Sequence, residues 1–248
     1  MATHLARAFL SAGFSIGRIY SRTNTSALAL AQEVGGRVSD SIIEVLQTSQ
    51  LVIVAVPDYA ISNLIDSQVP DDVILVHTCG ALEMDVFSGK AARYGVLYPL
   101  QTFSQKIAVE IKNVPFCIEA SDKDSLEVIK QVASAISDTV IEMDTDRRKV
   151  LHLAAVFACN FSNTMYAMAD DILKTVDLPF QLLYPLILET ARKTTIDSPW
   201  NVQTGPARRN DFSTIQTHEA LLKEMESYKK IYTMLSNAIQ AHYLARKD

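Results

Sequence analysis

In the stretch RRKVLHLAAVFACNFSNT, His152, Val156 and Asn160 are spaced by four, so His152 and Asn160 project from nearly the same face of a helix, two turns apart. An imidazole in that position can give or take a proton, and an amide beside it can hold a polar ligand in register. Both side chains interrupt an apolar stripe and need partners if buried. A second reading therefore stays open, in which His152 is a satisfied core residue and Asn160 bonds a neighbouring backbone. The loop QTGPARRND offers Arg208 and Arg209 as clamps for a carboxylate or phosphate, with Asp211 orienting one of them. Alternatively, Asp211 caps the last helix and the arginines are solvated.

Other candidates lie where apolar runs end. In YSRTNTS the residues Ser21, Arg22 and Thr23 follow a short strand and include no carboxylate. Where a dinucleotide fold meets the adenosine ribose, an acid binds the free hydroxyls of NAD and an arginine accepts the 2′-phosphate of NADP, so these residues read as an NADP site. The plain alternative is a solvated strand end with Thr23 or Asn24 capping the next helix. LVIVAVPDYAI places Val56, Pro57 and Asp58 at a strand exit, where backbone groups can touch the nicotinamide ribose and Asp58 can instead be an N-cap. VHTCG brings Thr78 and Gly80 to the corresponding edge for the cofactor and His77 for the substrate, although a lone histidine there is as often structural. Gln101 in YPLQTFS suits either a cleft wall with one hydrogen-bonding group or an ordinary loop. No cluster has metal-ligand spacing.

The elements that must position these groups follow from pattern. SIGRIYS, LVIVAVP, VILVHTCG, GVLYPL, PFCIEA and TVIEMD are short apolar runs rich in Val and Ile, several of them continuous, as strands covered on both faces require. Alternating with helix patterns over residues 1–144, they predict a doubly wound α/β sheet serving as a dinucleotide-binding domain. Residues 145–248 change to helical periodicity, with helices expected over about 147–176, 179–194 and 214–245. In the last, Leu221, Leu222, Met225, Tyr228, Tyr232, Leu235 and Ile239 form an apolar stripe. That region reads as an all-helical dimerisation and substrate domain.

Composition narrows the classes. A formal net charge of -5 argues against nucleic acid or an anionic membrane as partner. No run approaches the roughly 18 apolar residues of a membrane span, and the start lacks the features of a signal peptide. The cysteines Cys79, Cys117 and Cys159 show no paired spacing and read as reduced thiols, which places the protein in the cytoplasm with a small-molecule partner.

The segments ATHLARAF, YSRT, AVPDYAI, HTCGAL, YPLQTFS, HLAAVFACNFSN and TGPARRND occur in an order that resembles a family of candidate NADP oxidoreductases, in which a Rossmann-like domain precedes a C-terminal helical domain of unknown function of the DUF2520 type. The resemblance covers essentially the whole chain. That family is similar to pyrroline-5-carboxylate reductases and, more distantly, to 6-phosphogluconate and 3-hydroxyacid dehydrogenases. It implies NADP as cofactor, a homodimer formed through the helical domain and an active site between the domains. Hydride would move between the cofactor and a small carbonyl or imine, with His152 as proton donor or substrate hydrogen bonder, Asn160 as positioning residue and Arg208 as carboxylate clamp. A non-catalytic sensor of a nucleotide or metabolite is the alternative. The family's usual opening is a strand and a turn of the form G-x-G-N-V leading into A-T-H-L-A. Met1 stands at the position of that Val, and no G-x-G-x-x-G occurs in the 248 residues. The first strand and its turn are therefore expected to be missing, with a gap in the sheet between the strands near residues 16–21 and 51–56.

Overall fold

Helix α1 (Ala2–Ser11) turns His4, Leu5 and Phe9 inward and ends where Gly13, at φ +90°, takes the left-handed conformation that lets the chain reverse. The computed structural model describes residues 1–104 and 107–245. Strand β1 (Arg18–Ile19) pairs in parallel with β2 (Arg37–Val38), and α2 (Asn24–Val34) crosses between them. These two strands form their own sheet. α3 (Ile42–Thr48) leads to β3 (Leu51–Val54), the first strand of a five-stranded sheet ordered β3, β4 (Ile74–His77), β5 (Arg93–Pro99), β6 (Phe116–Ala120), β7 (Val140–Glu142). Pairing is parallel throughout except between β5 and β6, where Tyr98 faces Cys117 in antiparallel register. β1 and β3 belong to different sheets, so the two strands expected to flank a gap do not pair.

Both faces of the larger sheet are covered, which is why its central strands are continuously apolar. On one face Leu5 and Phe9 of α1 and Ile129, Ala133 and Ile136 of α5 (Lys123–Ile136) pack on Ile74, Val76, Leu97, Phe116 and Ile118. On the other, Val45, Leu46, Ile61, Ile65 and Phe87 pack on Val52, Val54 and Leu75. Removing each such aliphatic side chain from water contributes about 1.5–3 kcal/mol. Gly95 lets α5 sit down on the sheet, because a methyl group there would lie 2.8 Å from Ile129 Cδ1 and 2.3 Å from the Glu119 carbonyl oxygen.

The chain divides into compact units at Met1–Phe161 and Ser162–Asp248. The change of sequence character at residue 145 comes earlier than this division. The reason is α6 (Thr145–Ala155), capped by Asp144, whose carboxylate accepts the Arg147 N–H at 2.8 Å, and held to the sheet through Arg148. A π-helical turn, Val156–Phe161, closes the first unit.

The second unit holds α7 (Ser162–Lys174), α8 (Tyr184–Thr194), the short α9 (Pro206–Arg209), α10 (Phe212–Leu221) and α11 (Glu226–Leu244). The expected final helix is two helices, interrupted at Leu222–Met225. Across the bend the His218 ring bonds Tyr232 at 2.9 Å and Thr233 donates to Glu219 at 2.6 Å. The Tyr228 hydroxyl donates to Asp171 at 2.7 Å and ties α11 to α7. Among the described residues no helix is long and apolar enough to cross a membrane.

Candidate functional site

Strands β3, β4 and β5 run parallel, so their carboxyl ends lie side by side, and ligands of open α/β sheets bind at such ends. At the end of β4, His77 is fully buried. Its Nε2 faces the Glu83 carbonyl at 3.2 Å and its Nδ1 accepts the Cys79 N–H at 3.2 Å. Both ring nitrogens are thus taken, and the side chain expected to meet a substrate instead braces the turn after β4. Burial, with the nearby Arg148 charge, pushes its pKa down to about 4. Thr78 is buried as well, its backbone N–H bonding the Val54 carbonyl at 3.3 Å. Burial and a contact with the Asp58 carboxylate push the Cys79 thiol well up, so it is inert at neutral pH.

Gly80, Tyr98 and His152 come together beside this turn. Tyr98 Oη lies 3.0 Å from His152 Nδ1, with the rings edge to face. A methyl group on Gly80 would lie 2.4 Å from that same Nδ1 and 2.9 Å from Tyr98 Cζ. Gly80 has no positive φ, so space rather than backbone conformation demands a glycine here. Tyr98 is largely buried, which pushes its phenol up to about 12.

α6 is fixed one turn before His152. Arg148 is 1% exposed and donates from Nη1 to Glu119 at 2.8 Å and from Nη2 to the Leu82 carbonyl at 2.6 Å. Glu119 also accepts the Thr145 N–H at 3.0 Å and its hydroxyl at 2.8 Å, which joins the first turn of α6 to β6. Burial lowers the Arg148 pKa, and the Glu119 charge opposes that shift.

The π turn changes the geometry of the His152–Asn160 pair. An α turn takes about 3.6 residues, and i→i+5 bonding adds roughly one more, so the residue two turns beyond His152 moves from Cys159 to Asn160. Asn160 is exposed and already has a bonding partner.

Apart from Asp58, whose carboxylate contacts the Cys79 thiol, the remaining candidates are dispersed. Arg22 is exposed and makes no hydrogen bond or ion pair among the described residues, while Ser21 Oγ accepts the Thr23 N–H at 3.4 Å and Thr23 donates to Ser26 at 2.9 Å. Thr23 is the N-cap residue of α2 without a side-chain cap bond. Val56 is half-buried and Pro57 exposed. Asp58 is not itself a cap, because Pro57 holds that position and Asp58 opens the short helix α4 (Asp58–Ile61). The Gln101 side chain is exposed and accepts the Thr102 N–H at 2.7 Å. Arg208 and Asp211 belong to the second unit. There Arg208 bonds the Gln203 carbonyl and lies 5.2 Å over the Tyr243 ring, and Asp211 caps α10, accepting the Thr214 N–H at 3.1 Å. The described residues contain no group of three or more acidic, histidine or cysteine side chains suited to a metal ion.

Sequence reasoning missed Tyr98, Arg148 and Glu119. A signal for Arg148 was present, since it precedes His152 by four on the same face, and a buried arginine needs an acid such as the one in FCIEA.

A mixed sheet with polar groups gathered at its parallel strand ends, followed by helices, defines a Rossmann-like α/β protein with a helical C-terminal part. Residues 114–239 match the domain of unknown function DUF2520, and residues 1–79 match the family described as NADP oxidoreductase, coenzyme F420-dependent. The chain belongs to the DUF2520 family, whose match spans more than half of its length. Among solved structures it is similar to a candidate NADP oxidoreductase from Bacteroides fragilis, at 40% identity and a TM-score of 0.88 over 97% of this chain and 94% of that one. A Thermotoga maritima protein is 27% identical, with a TM-score of 0.74 over 95% of this chain and 96% of that one. An imine reductase from Myxococcus stipitatus, solved in complex with NADP+, is 16% identical with a TM-score of 0.65 over 99% and 92% of the two chains, and shares the fold. No curated protein matches the sequence.

Proposed function

We propose that this chain is an NADP-dependent oxidoreductase acting on a small carbonyl or imine, with His152 as the group that hydrogen-bonds or protonates the substrate. The observation that carries this reading is the Gly80–Tyr98–His152 cluster beside the carboxyl ends of the parallel strands. The family match and the 40% identical relative described as a candidate NADP oxidoreductase support it.

The residues present suit this cofactor at the ribose end. Arg22 is an exposed cation with no ion pair among the described residues, and the segment Ser21 to Asn24 holds no carboxylate to repel a 2′-phosphate. When bound, the cofactor supplies or accepts hydride at nicotinamide C4. The chain's own contribution is orientation. Gly80 leaves room for the His152 ring, Arg148 and Glu119 fix α6, and the imidazole meets the oxygen or nitrogen on which charge develops. Asn160, two turns beyond His152, is the proposed positioning residue.

Isothermal titration calorimetry tests the cofactor assignment. NADP is expected to bind more tightly than NAD, and Arg22→Ala should weaken NADP by about 1.5–3 kcal/mol, the scale of a charge-assisted hydrogen bond, while leaving NAD unchanged. Equal affinities before and after the substitution would exclude the assignment. Tight nucleotide binding without turnover on any substrate would favour a nucleotide sensor.

The proposal extends to assembly and compartment. In the second unit Val176, Leu182, Leu186, Leu188, Leu221 and Met234 are each at least 61% exposed. So much apolar surface marks a protein contact, and a second copy of the chain is the partner proposed. The three free cysteines suit a reducing cytoplasm.

A further inference from the structure

Among the described residues the His152 ring is hydrogen-bonded through one of its two nitrogens. Nδ1 lies 3.0 Å from the Tyr98 hydroxyl, whereas Nε2 makes no hydrogen bond among the described residues. We propose that Tyr98 is a positioning residue for His152: its hydroxyl donates to Nδ1 and holds the neutral imidazole in the tautomer that carries its proton on Nε2, ready to donate a hydrogen bond to a carbonyl oxygen or imine nitrogen. The catalytic meaning of this arrangement rests on the oxidoreductase reading, whereas the tautomer itself does not.

Three features support the arrangement. Tyr98 is 7% exposed and its hydroxyl has no other acceptor among the described residues, so donation to Nδ1 is the arrangement that satisfies its buried proton. Gly80 packs closely against both rings, since a side chain at position 80 would strike Nδ1 and the Tyr98 ring together. Finally, the helix carrying His152 is pinned one turn away by Arg148, bonded to Glu119 and to the Leu82 carbonyl. A neutral N–H held at a fixed place polarises a carbonyl without reorganisation at the moment hydride arrives. That donor suits a neutral acceptor atom, which makes a carbonyl or an unprotonated imine the substrate form that benefits.

The test is nitrogen NMR on the uniformly 15N-labelled full chain, with the His152 signals assigned by their loss in His152→Gln. On the alkaline side of the imidazole titration, wild-type His152 should show a protonated Nε2 and a bare Nδ1. Tyr98→Phe keeps the ring and removes the hydroxyl, and should give shifts averaged over both tautomers. Gly80→Ala should do the same while keeping both partners. In parallel, NADPH oxidation with a panel of ketones and cyclic imines should show kcat reduced about tenfold or more in Tyr98→Phe, with KM changed less than about twofold, the signature of an interaction made in the transition state. A proton on Nδ1 in the wild type would overturn the inference without recourse to any variant. So would a Tyr98→Phe protein that keeps the Nε2–H tautomer and the wild-type kcat. The expected tautomer in a protein that turns over none of the panel would support the Tyr98 bond and count against the oxidoreductase reading alone.

Discussion

His77 ends β4 and His152 sits on α6, and the two differ in burial and partners. His77 has a pKa of about 4 in the folded chain against about 6.5 when unfolded. Between these values the unfolded state binds a proton that the folded state refuses, so protonation favours unfolding. The stability associated with a neutral His77 is fully present above pH ~6.5 and is lost as pH falls to ~4, by about 3 kcal/mol in total. Urea unfolding followed across that window should show this fall, and His77→Gln should flatten it; a parallel fall in both proteins would assign the acid sensitivity elsewhere. From the sequence alone His77 stayed open between substrate contact and structure, because VHTCG reads the same for either. What decided it is the pair of bonds to Glu83 and Cys79, which the turn after β4 creates. His152 was legible as a candidate from its apolar stripe, but Tyr98 was hidden among the aromatic residues of YPLQTFS and is joined to His152 only by the tertiary fold.

α6 is the element on which the site depends, and its attachment is a buried ion pair, with Arg148 and Glu119 side chains 1% and 17% exposed. Removing one partner leaves the other charge buried and uncompensated. Arg148→Met is therefore expected to cost about 3–5 kcal/mol, while Arg148→Met combined with Glu119→Leu should recover most of that loss. Chemical denaturation of the single and double variants checks this, and a single variant within about 1 kcal/mol of wild type would show that the pair does not anchor the helix. Six of the strands stood out in the sequence as apolar runs. β2 did not, since Arg37 and Val38 form a two-residue strand with one apolar side chain, too short to have a pattern. The break between α10 and α11 was equally hidden, because Leu221, Leu222 and Met225 keep the helical spacing through it and no glycine or proline marks the bend. Nor does anything in VFACNF announce a π turn, whose cause lies in packing rather than in propensity.

For the molecule as a whole, the fold class followed from alternating runs and the switch to helices, whereas the extent of each unit depended on which helices the sheet captures. The apolar surface of the second unit predicts a homodimer burying more than about 1,500 Å² in total, and sedimentation velocity at micromolar concentration should find the dimer; a monomer at that concentration would remove it. The central claim is the reaction, and the most direct measurement is stopped-flow or steady-state oxidation of NADPH at 340 nm by the purified chain with a panel of small ketones, keto acids and cyclic imines, comparing wild type with His152→Ala. The account predicts turnover of at least one substrate and a fall in kcat of about a hundredfold or more in the variant, the contribution of a positioned acid or base. Nucleotide-saturated protein that oxidises NADPH with none of the panel, or equal rates in wild type and His152→Ala, would contradict it.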